Sequence, residues 1–377
     1  MSNTLRYILG AVIFALIVAI SGGGTSLVHA QTDTEAVFVW PEAGLRFNYP
    51  ADWQQLSDPN ADFVLVAPLT GDSFAYMAMQ SGLYDASTES VGEIMASFVE
   101  NAEDLSEFSV GEVIAYRFTE ASDDLTSIFV GFTADEMKVH LINLTVSNDI
   151  VDEWLPVFEQ IIDSMTIEPL ALDHEILNAQ LQANFEETGR LIVGELDAPT
   201  RIYEFLDFAC PHCVDYHDDI NRLVQDQVLS GNANLQFGTL TFVAGQLSRN
   251  AAAAQVCAAK LGVGWDVHNL LFETYRFDGR TAYEVDAILA NIEAAELDVD
   301  IDEFAECMND EDTITAYLGA VQADAVQYGV SATPTMLFAS ADGDFGLLVL
   351  SNGQEVSRAN LNTTYDYIAE LAGVSEE

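Results

Sequence analysis

Two cysteines separated by two residues, in the run Cys210-Pro211-His212-Cys213, constrain this chain more than any other feature. The preceding run, 201–205, has the pattern of a buried strand, and an amphipathic helix pattern follows, so the cysteines lie where a strand passes into a helix. At the first turn of a helix, cysteines three positions apart bring their sulfurs within bonding reach. Proline suits the first helical position, since its missing N–H costs nothing there. The sequence therefore predicts an α/β unit built around this junction.

Such a junction suits thiol–disulfide exchange, which needs an attacking thiolate and a second thiol that resolves the mixed disulfide. A helix N-terminus carries about half a positive charge, which should stabilise a thiolate at Cys210 and lower its pKa from the free value of about 8.5. We expect His212 to add a polar donor beside the Cys210 sulfur. The alternatives are a static buried disulfide and half of a zinc site, which would need a second close pair of ligands.

Beyond this run, the order of motifs resembles the DsbA family of the thioredoxin superfamily. A glutamate stands six residues before the first cysteine, a long helical stretch follows, and Thr333-Pro334-Thr335 then leads into a strand. The resemblance covers residues 187–375. It implies a thioredoxin-like α/β fold with a helical insertion at about 247–328, and a thiol–disulfide oxidoreductase that introduces disulfides into client proteins.

The same resemblance implies a role for each matching residue. Cys210 would be the attacking cysteine and Cys213 the resolving one. Glu204 would be a buried acid beneath the site that helps move the proton of the resolving thiol, and Pro334 would be a cis-proline facing the disulfide. The residues alone also allow Glu204 to be a surface acid and Pro334 an ordinary trans-proline at the start of an edge strand. Thr333 replaces the valine of the best-known oxidases, and threonine there also occurs in isomerase and reductase branches.

The remaining cysteines, Cys257 and Cys307, both fall in the predicted helical insertion. They could be two buried free thiols, because free cysteine packs as a small hydrophobe. An oxidising compartment would favour a disulfide. The resemblance to DsbA-like proteins with extra cysteines at similar places implies that bridge.

Residues 1–30 have the pattern of a secretory signal peptide. Arg6 precedes the apolar run 8–20, and Val28-His29-Ala30 fits a cleavage site. The alternative is an uncleaved membrane anchor, although the apolar run is short for a span of about 20 residues. We therefore expect an exported protein, either periplasmic or extracellular.

The first half of the chain, residues 31–168, has a different pattern. Short strand-like runs, a helix after residue 90, three further strand runs and the amphipathic helix 151–165 predict an α+β domain with an antiparallel sheet. The run FNYPADW at 47–53 and the final Asp163-Ser164-Met165 resemble PsbP-like domains. Residues 169–198 would be a connector with one short helix, leading to the second domain at 199–377. We assign the first domain no activity.

Charge narrows the set of partners. The chain carries 61 acidic residues against 12 lysines and arginines, a formal net charge of −49, which excludes nucleic acid as a partner. The acids form a solvated surface or, alternatively, a docking face for a basic partner. The predicted partners are client proteins with free thiols and a membrane quinone-linked reoxidant, with no cofactor and no metal. The rival functions are an isomerase or reductase using the same cysteines, and a non-catalytic binding or assembly factor on a thioredoxin scaffold; the oligomeric state is open.

Overall fold

The computed structural model describes residues 35–56, 61–68, 73–83, 89–99, 104–135 and 138–373. The chain forms two compact units, one extending to Leu170 and one beginning at Ala171. The predicted signal peptide, residues 1–30, lies outside the described residues. Across the described ranges, no helix combines the length and the apolar character needed to span a membrane.

In its described residues, the first unit contains two antiparallel sheets and two α-helices. Its strands are β1 Glu35–Trp40, β2 Leu45–Pro50, β3 Gln54–Leu56, β4 Phe63–Val66, β5 Ala75–Leu83, β6 Ser106–Val110, β7 Val113–Ala121, β8 Leu125–Phe132, β9 Lys138–Ser147 and β10 Thr166–Ile167. The helices are α1 Val91–Ala96 and α2 Val151–Asp163. β1, β2 and β10 form one sheet, and the other has the order β3-β4-β5-β9-β8-β7-β6.

Apolar side chains alternate along the strands of this unit, so that one face of the sheet packs against a helix. In β9, Ile142, Leu144 and Val146 face the same core as Phe158 and Ile162 of α2. His140 is buried on β9, and its Nδ1 lies 2.8 Å from Ser81 Oγ. This hydrogen bond holds the imidazole within the sheet, as expected of a structural histidine.

The second unit contains a mixed sheet, a small hairpin and eight helices among the described residues. Its strands are β11 Leu191–Val193, β12 Thr200–Leu206, β13 Ala233–Thr239, β14 Thr335–Ser340, β15 Leu348–Val349 and β16 Glu355–Val356. The helices are α3 His174–Thr188, α4 Pro211–Leu223, α5 Gln246–Lys260, α6 Gly264–Asp278, α7 Val285–Ala294, α8 Ile301–Met308, α9 Glu311–Gln327 and α10 Leu361–Leu371. The sheet order is β11-β13-β12-β14, and β15 pairs with β16.

Strand direction brings three separate segments to one edge of this sheet. β12 and β13 are parallel, so the segments that follow them, from residue 207 and from residue 240, leave at the same edge. β14 runs antiparallel to β12, and its first residue, Thr335, pairs with Phe205 near the end of β12. The residues just before β14 therefore lie at that edge as well. The helices α5 to α9 occupy the chain between β13 and β14.

Residues 169–198 are not the connector that the sequence predicts. They contain α3 and β11, and β11 pairs with β13 as part of the sheet. Leu177 and Leu181 of α3 are fully buried in the core of the second unit. The helix α3 agrees with the short helix that the sequence predicts in this segment, whereas the three apolar residues of β11 do not by themselves indicate a strand of the sheet.

Cys257 of α5 and Cys307 of α8 form a disulfide, with their Cα atoms 5.7 Å apart. The bond joins two residues that are 50 positions apart in sequence, and it links α5 to α8 within the helical region between β13 and β14. The alternative of two buried free thiols does not describe this structure.

Candidate active site

Cys210 and Cys213 lie at the sheet edge where β12 passes into α4. Cys210 precedes the first residue of α4, Pro211, and its carbonyl accepts hydrogen bonds from the amides of Cys213 and Val214 at 3.0 and 3.1 Å. Both cysteines are free thiols. Cys210 retains 6% exposure and Cys213 only 1%, so a thiolate from outside reaches Cys210 first.

The electrostatic surroundings favour a thiolate at Cys210. The pKa of Cys210 is lowered to about 5, chiefly because the Cys213 thiol donates a hydrogen bond to its sulfur, and this outweighs the cost of burial. The Thr333 side chain and the backbone amides of Cys213 and His212 lower the pKa further. A thiolate therefore predominates at neutral pH, and a stabilised thiolate stabilises the reduced form.

Cys213 is held in the opposite protonation state. Its pKa is raised above the usual range by burial, by the hydrogen bond to Cys210 and by the charge of Glu204. Glu204 is itself 2% exposed, and burial raises its pKa to about 8. Glu204 is therefore not a surface acid, and at neutral pH it holds a proton close to Cys213.

Thr333 and Pro334 complete the site from the third segment at this edge. The Thr333–Pro334 peptide bond is cis, and Pro334 is buried. The Cys210 sulfur lies 3.4 Å from the Thr333 carbonyl oxygen, to which it donates a hydrogen bond only in its protonated form. Thr333 Oγ1 is buried without a hydrogen bond of good geometry to the described residues, although its proximity still lowers the pKa of Cys210.

His212 acts differently from its predicted role. The sequence suggests a side-chain donor beside the Cys210 sulfur, whereas the structure supplies that donor from the backbone amide of His212. The imidazole is exposed, like the adjacent Pro211. Because the amides at the start of a helix already point towards its N-terminus, the backbone does not need the side chain for this contact.

Several residues that hold the approach to Cys210 escape the sequence reasoning. Tyr283 donates a hydrogen bond of 3.0 Å to the Phe208 carbonyl, and Tyr275 donates one of 3.2 Å to the Ala209 carbonyl. Both tyrosines belong to the helical region between β13 and β14, and nothing in their own sequence marks them. Asp207 is easier to identify from the sequence, because it is the one polar residue in the otherwise apolar run 205–209.

The buried histidines of the second unit lie among aromatic side chains. His217 and His268 are 3% and 1% exposed, and their rings lie 5.3 Å apart. Burial and the neighbouring His217 lower the pKa of His268 well below its usual value. In the described part of the chain, no group of three or more histidines, cysteines and carboxylates is placed to hold a metal ion.

The arrangement can therefore perform two linked steps. A partly exposed sulfur with a low pKa can form and break a mixed disulfide, and a shielded sulfur with a high pKa can resolve it. The protonated Glu204 beside Cys213 offers a proton when that thiolate leaves.

Comparison with known proteins gives matches in the same region. The family model described as Thioredoxin matches residues 186–340. Disulfide bond formation protein D of Bacillus subtilis (strain 168) is 35% identical over 88 residues, which are 22% of this chain and 39% of that protein. The matched segment thus spans well under half of that relative.

Two solved structures are similar at lower identity. Oxidised BdbD from Bacillus subtilis has 21% identity and a TM-score of 0.41, covering 49% of this chain and 94% of that one. Pseudomonas aeruginosa DsbA2 has 22% identity and a TM-score of 0.39, covering 49% and 96%. At this level of similarity neither structure carries information on activity. The family model matches the region that contains the sheet β11-β13-β12-β14, and the second unit has a thioredoxin-like fold.

Proposed function

We propose that this protein is an exported thiol–disulfide oxidoreductase that introduces disulfides into client proteins through Cys210 and Cys213. One observation supports this above all others: the two sulfurs have opposite protonation preferences. The accessible Cys210 has a pKa of about 5, and the shielded Cys213 has a pKa above the usual range. A centre whose reduced form is stabilised in this way is a strong acceptor of electrons when oxidised.

The reaction starts from the Cys210–Cys213 disulfide. A client thiolate attacks the Cys210 sulfur, a client–Cys210 bond forms, the bond to Cys213 breaks, and Cys213 leaves and takes a proton, which the protonated Glu204 supplies. A second client thiolate then attacks the client sulfur of this mixed disulfide and releases Cys210 as a thiolate. The client loses two electrons and gains a disulfide, and the enzyme gains the same two electrons.

Thr333 and Pro334 would receive the client chain. Both residues directly precede β14 at the sheet edge that carries Cys210, and an extended client segment would lie alongside them. The Thr333 carbonyl accepts from the Cys210 thiol and marks where a client sulfur arrives. Pro211 fixes the first turn of α4, and the disulfide between Cys257 and Cys307 stabilises the helical region without taking part in exchange.

The remaining partners follow from the direction of electron flow. Electrons must leave the reduced enzyme for an outside acceptor, for which we propose a membrane quinone-linked protein. An exported location fits the signal-like residues 1–30 and the disulfide, because disulfides persist in oxidising compartments. We propose that the first unit is a PsbP-like domain with no redox role, supported by its antiparallel sheet flanked by helices.

The second candidate is an isomerase or reductase with the same centre. Thr333 is the residue that supports it, because the resemblance places a threonine before the cis-proline in isomerase and reductase branches as well. Both candidates use Cys210 and Cys213, and they differ in the direction in which electrons flow at equilibrium.

Oxidation of a reduced, unfolded client protein by the oxidised enzyme tests the proposal. We expect client thiols to disappear in step with the appearance of free thiols at Cys210 and Cys213. The matched control is Cys210→Ser, which keeps the Cys257–Cys307 disulfide and should oxidise no client. Slow oxidation combined with rapid reduction of insulin disulfides would favour the reductase, and failure of both reactions would favour a non-catalytic scaffold.

A further inference from the structure

Asp207 is a buried carboxylate three residues before Cys210, in the loop between β12 and α4. It has 0% exposure and is the one buried aspartate among the described residues. Aspartate is rarely buried without a specific set of donors. The mechanism above does not use this residue.

Each polar group of Asp207 has a partner in the active site or beside it. Its Oδ1 accepts from the Ala209 amide at 3.0 Å, and its Oδ2 accepts from the Val243 amide at 2.9 Å. The Ser248 hydroxyl donates to the same carboxylate. The Asp207 carbonyl accepts from the Cys210 amide at 2.8 Å, and its own amide points to the Cys213 sulfur.

Burial raises the pKa of the Asp207 carboxyl, whereas the hydrogen bonds donated by Val243, Ser248 and Ala209 lower it. Two amides and a hydroxyl all donate to this side chain, and such donors stabilise its ionised form. The carboxylate lies within electrostatic range of the Cys210 sulfur. Burial keeps this charge unscreened, whereas most of the other acids of the chain lie in water.

The contact with Val243 extends the influence of Asp207 to a second segment. Residues 240–245 follow β13 and leave the sheet at the same edge as Cys210, because β12 and β13 are parallel. The Ala244 amide donates to Ser248 Oγ at 3.0 Å, so the same hydroxyl group joins this loop to Asp207. Phe242, at 58% exposure, stands on this loop beside the site.

We propose that Asp207 is a positioning residue whose buried charge opposes the Cys210 thiolate while its carboxylate fixes the 240–245 loop beside the cysteines. This inference rests on the proposed function and concerns how strongly the centre oxidises. Without the charge, the thiolate gains stability and the disulfide becomes more oxidising. Asp207 thus makes the Cys210–Cys213 disulfide less oxidising than it would be with the α4 N-terminus alone.

Asp207→Asn tests this, because asparagine keeps the shape and removes the charge. We expect the Cys210 pKa, measured by thiolate absorbance, to fall by at least about half a unit. The equilibrium with glutathione should then shift at least about threefold towards the reduced enzyme. The control is Asp215→Asn, which removes an exposed carboxylate from α4 and should leave both measurements at their wild-type values. Values for Asp207→Asn equal to those of Asp215→Asn would overturn the proposal, even if the variant were less stable.

A second measurement needs no variant and covers the case in which Asp207→Asn does not fold. Coupling between two charges is reciprocal, so the Asp207 carboxyl should titrate at higher pH in the reduced protein than in the oxidised one. Carbon-13 NMR of labelled aspartates in the two redox forms would show one resonance with this behaviour. Identical titrations in both forms would overturn the inference. Failure of the proposed function is distinguishable, since the wild type would then lack a redox-active Cys210–Cys213 pair.

Discussion

Replacing Glu204 by glutamine should change how the stability of the protein depends on pH. Burial raises the pKa of Glu204 from 4.5 to about 8. The folded state therefore keeps a proton that the unfolded chain releases above pH 4.5, and the free energy of unfolding falls as pH rises from about 4.5 to about 8. Glutamine has nearly the same shape and does not titrate, so the variant should lose this dependence.

The magnitude follows from the two pKa values of Glu204. One pKa unit corresponds to about 1.4 kcal/mol. Keeping Glu204 buried costs about 1 kcal/mol at pH 5 and about 5 kcal/mol at pH 9, where the carboxylate must be charged in the folded state. The difference in unfolding free energy between Glu204→Gln and wild type should therefore grow by about 4 kcal/mol across this range, in favour of the variant.

Urea unfolding between pH 5 and pH 9 at constant ionic strength measures this difference. The oxidised protein should be used, because Cys210 and Cys213 do not titrate in a disulfide. Glu187→Gln, which neutralises an exposed glutamate of α3, is the matched control and should follow the wild-type profile. Parallel profiles for wild type and Glu204→Gln would refute the reasoning, since burial would then impose no cost on the charge.

Three further predictions concern the cysteines and the domain boundary. Cys213→Ala should trap covalent complexes with client disulfides and Cys210→Ala should trap none on non-reducing gels; the reverse pattern would exchange their roles. Removing the Cys257–Cys307 disulfide, which closes 50 residues, should lower the free energy of unfolding by about 4 kcal/mol in the chain-entropy model, and peptide mass spectrometry should find the link in native protein. A fragment of residues 171–377 should fold and exchange thiols, whereas 187–377 should be unstable because it lacks the buried face of α3; equal stability of the two fragments would contradict the packing.

The sequence is most informative where function and fold depend on neighbouring residues. The run 201–213 predicts a strand, a turn and a helix with two cysteines at the junction, and each of these is a local property. The helical region between β13 and β14 also follows from local periodicity. The low pKa of Cys210 also depends in part on residues close in sequence, because Cys210 lies directly before the N-terminus of α4.

Features that depend on distant contacts could not be predicted in this way. The three residues of β11 gain strand character only by pairing with β13, more than 40 positions later in the chain. The partners of Asp207 include Val243 and Ser248, which reach it only because β12 and β13 end at the same edge. The cis state of Pro334 is likewise fixed by its place in the folded sheet and not by its neighbours. The contact of His212 with the Cys210 sulfur comes from its backbone amide, which depends on the geometry of the helix N-terminus and not on the identity of the side chain.

The reduction potential of the Cys210–Cys213 pair is the most direct test of the oxidase assignment. Equilibration with glutathione, read by mass spectrometry of alkylated peptides, separates this pair from Cys257 and Cys307. The low pKa of Cys210 predicts a potential well above the value of about −270 mV of thioredoxin, towards the value of about −120 mV of a strongly oxidising centre. A potential at or below about −270 mV would contradict the oxidase assignment and favour a reductase.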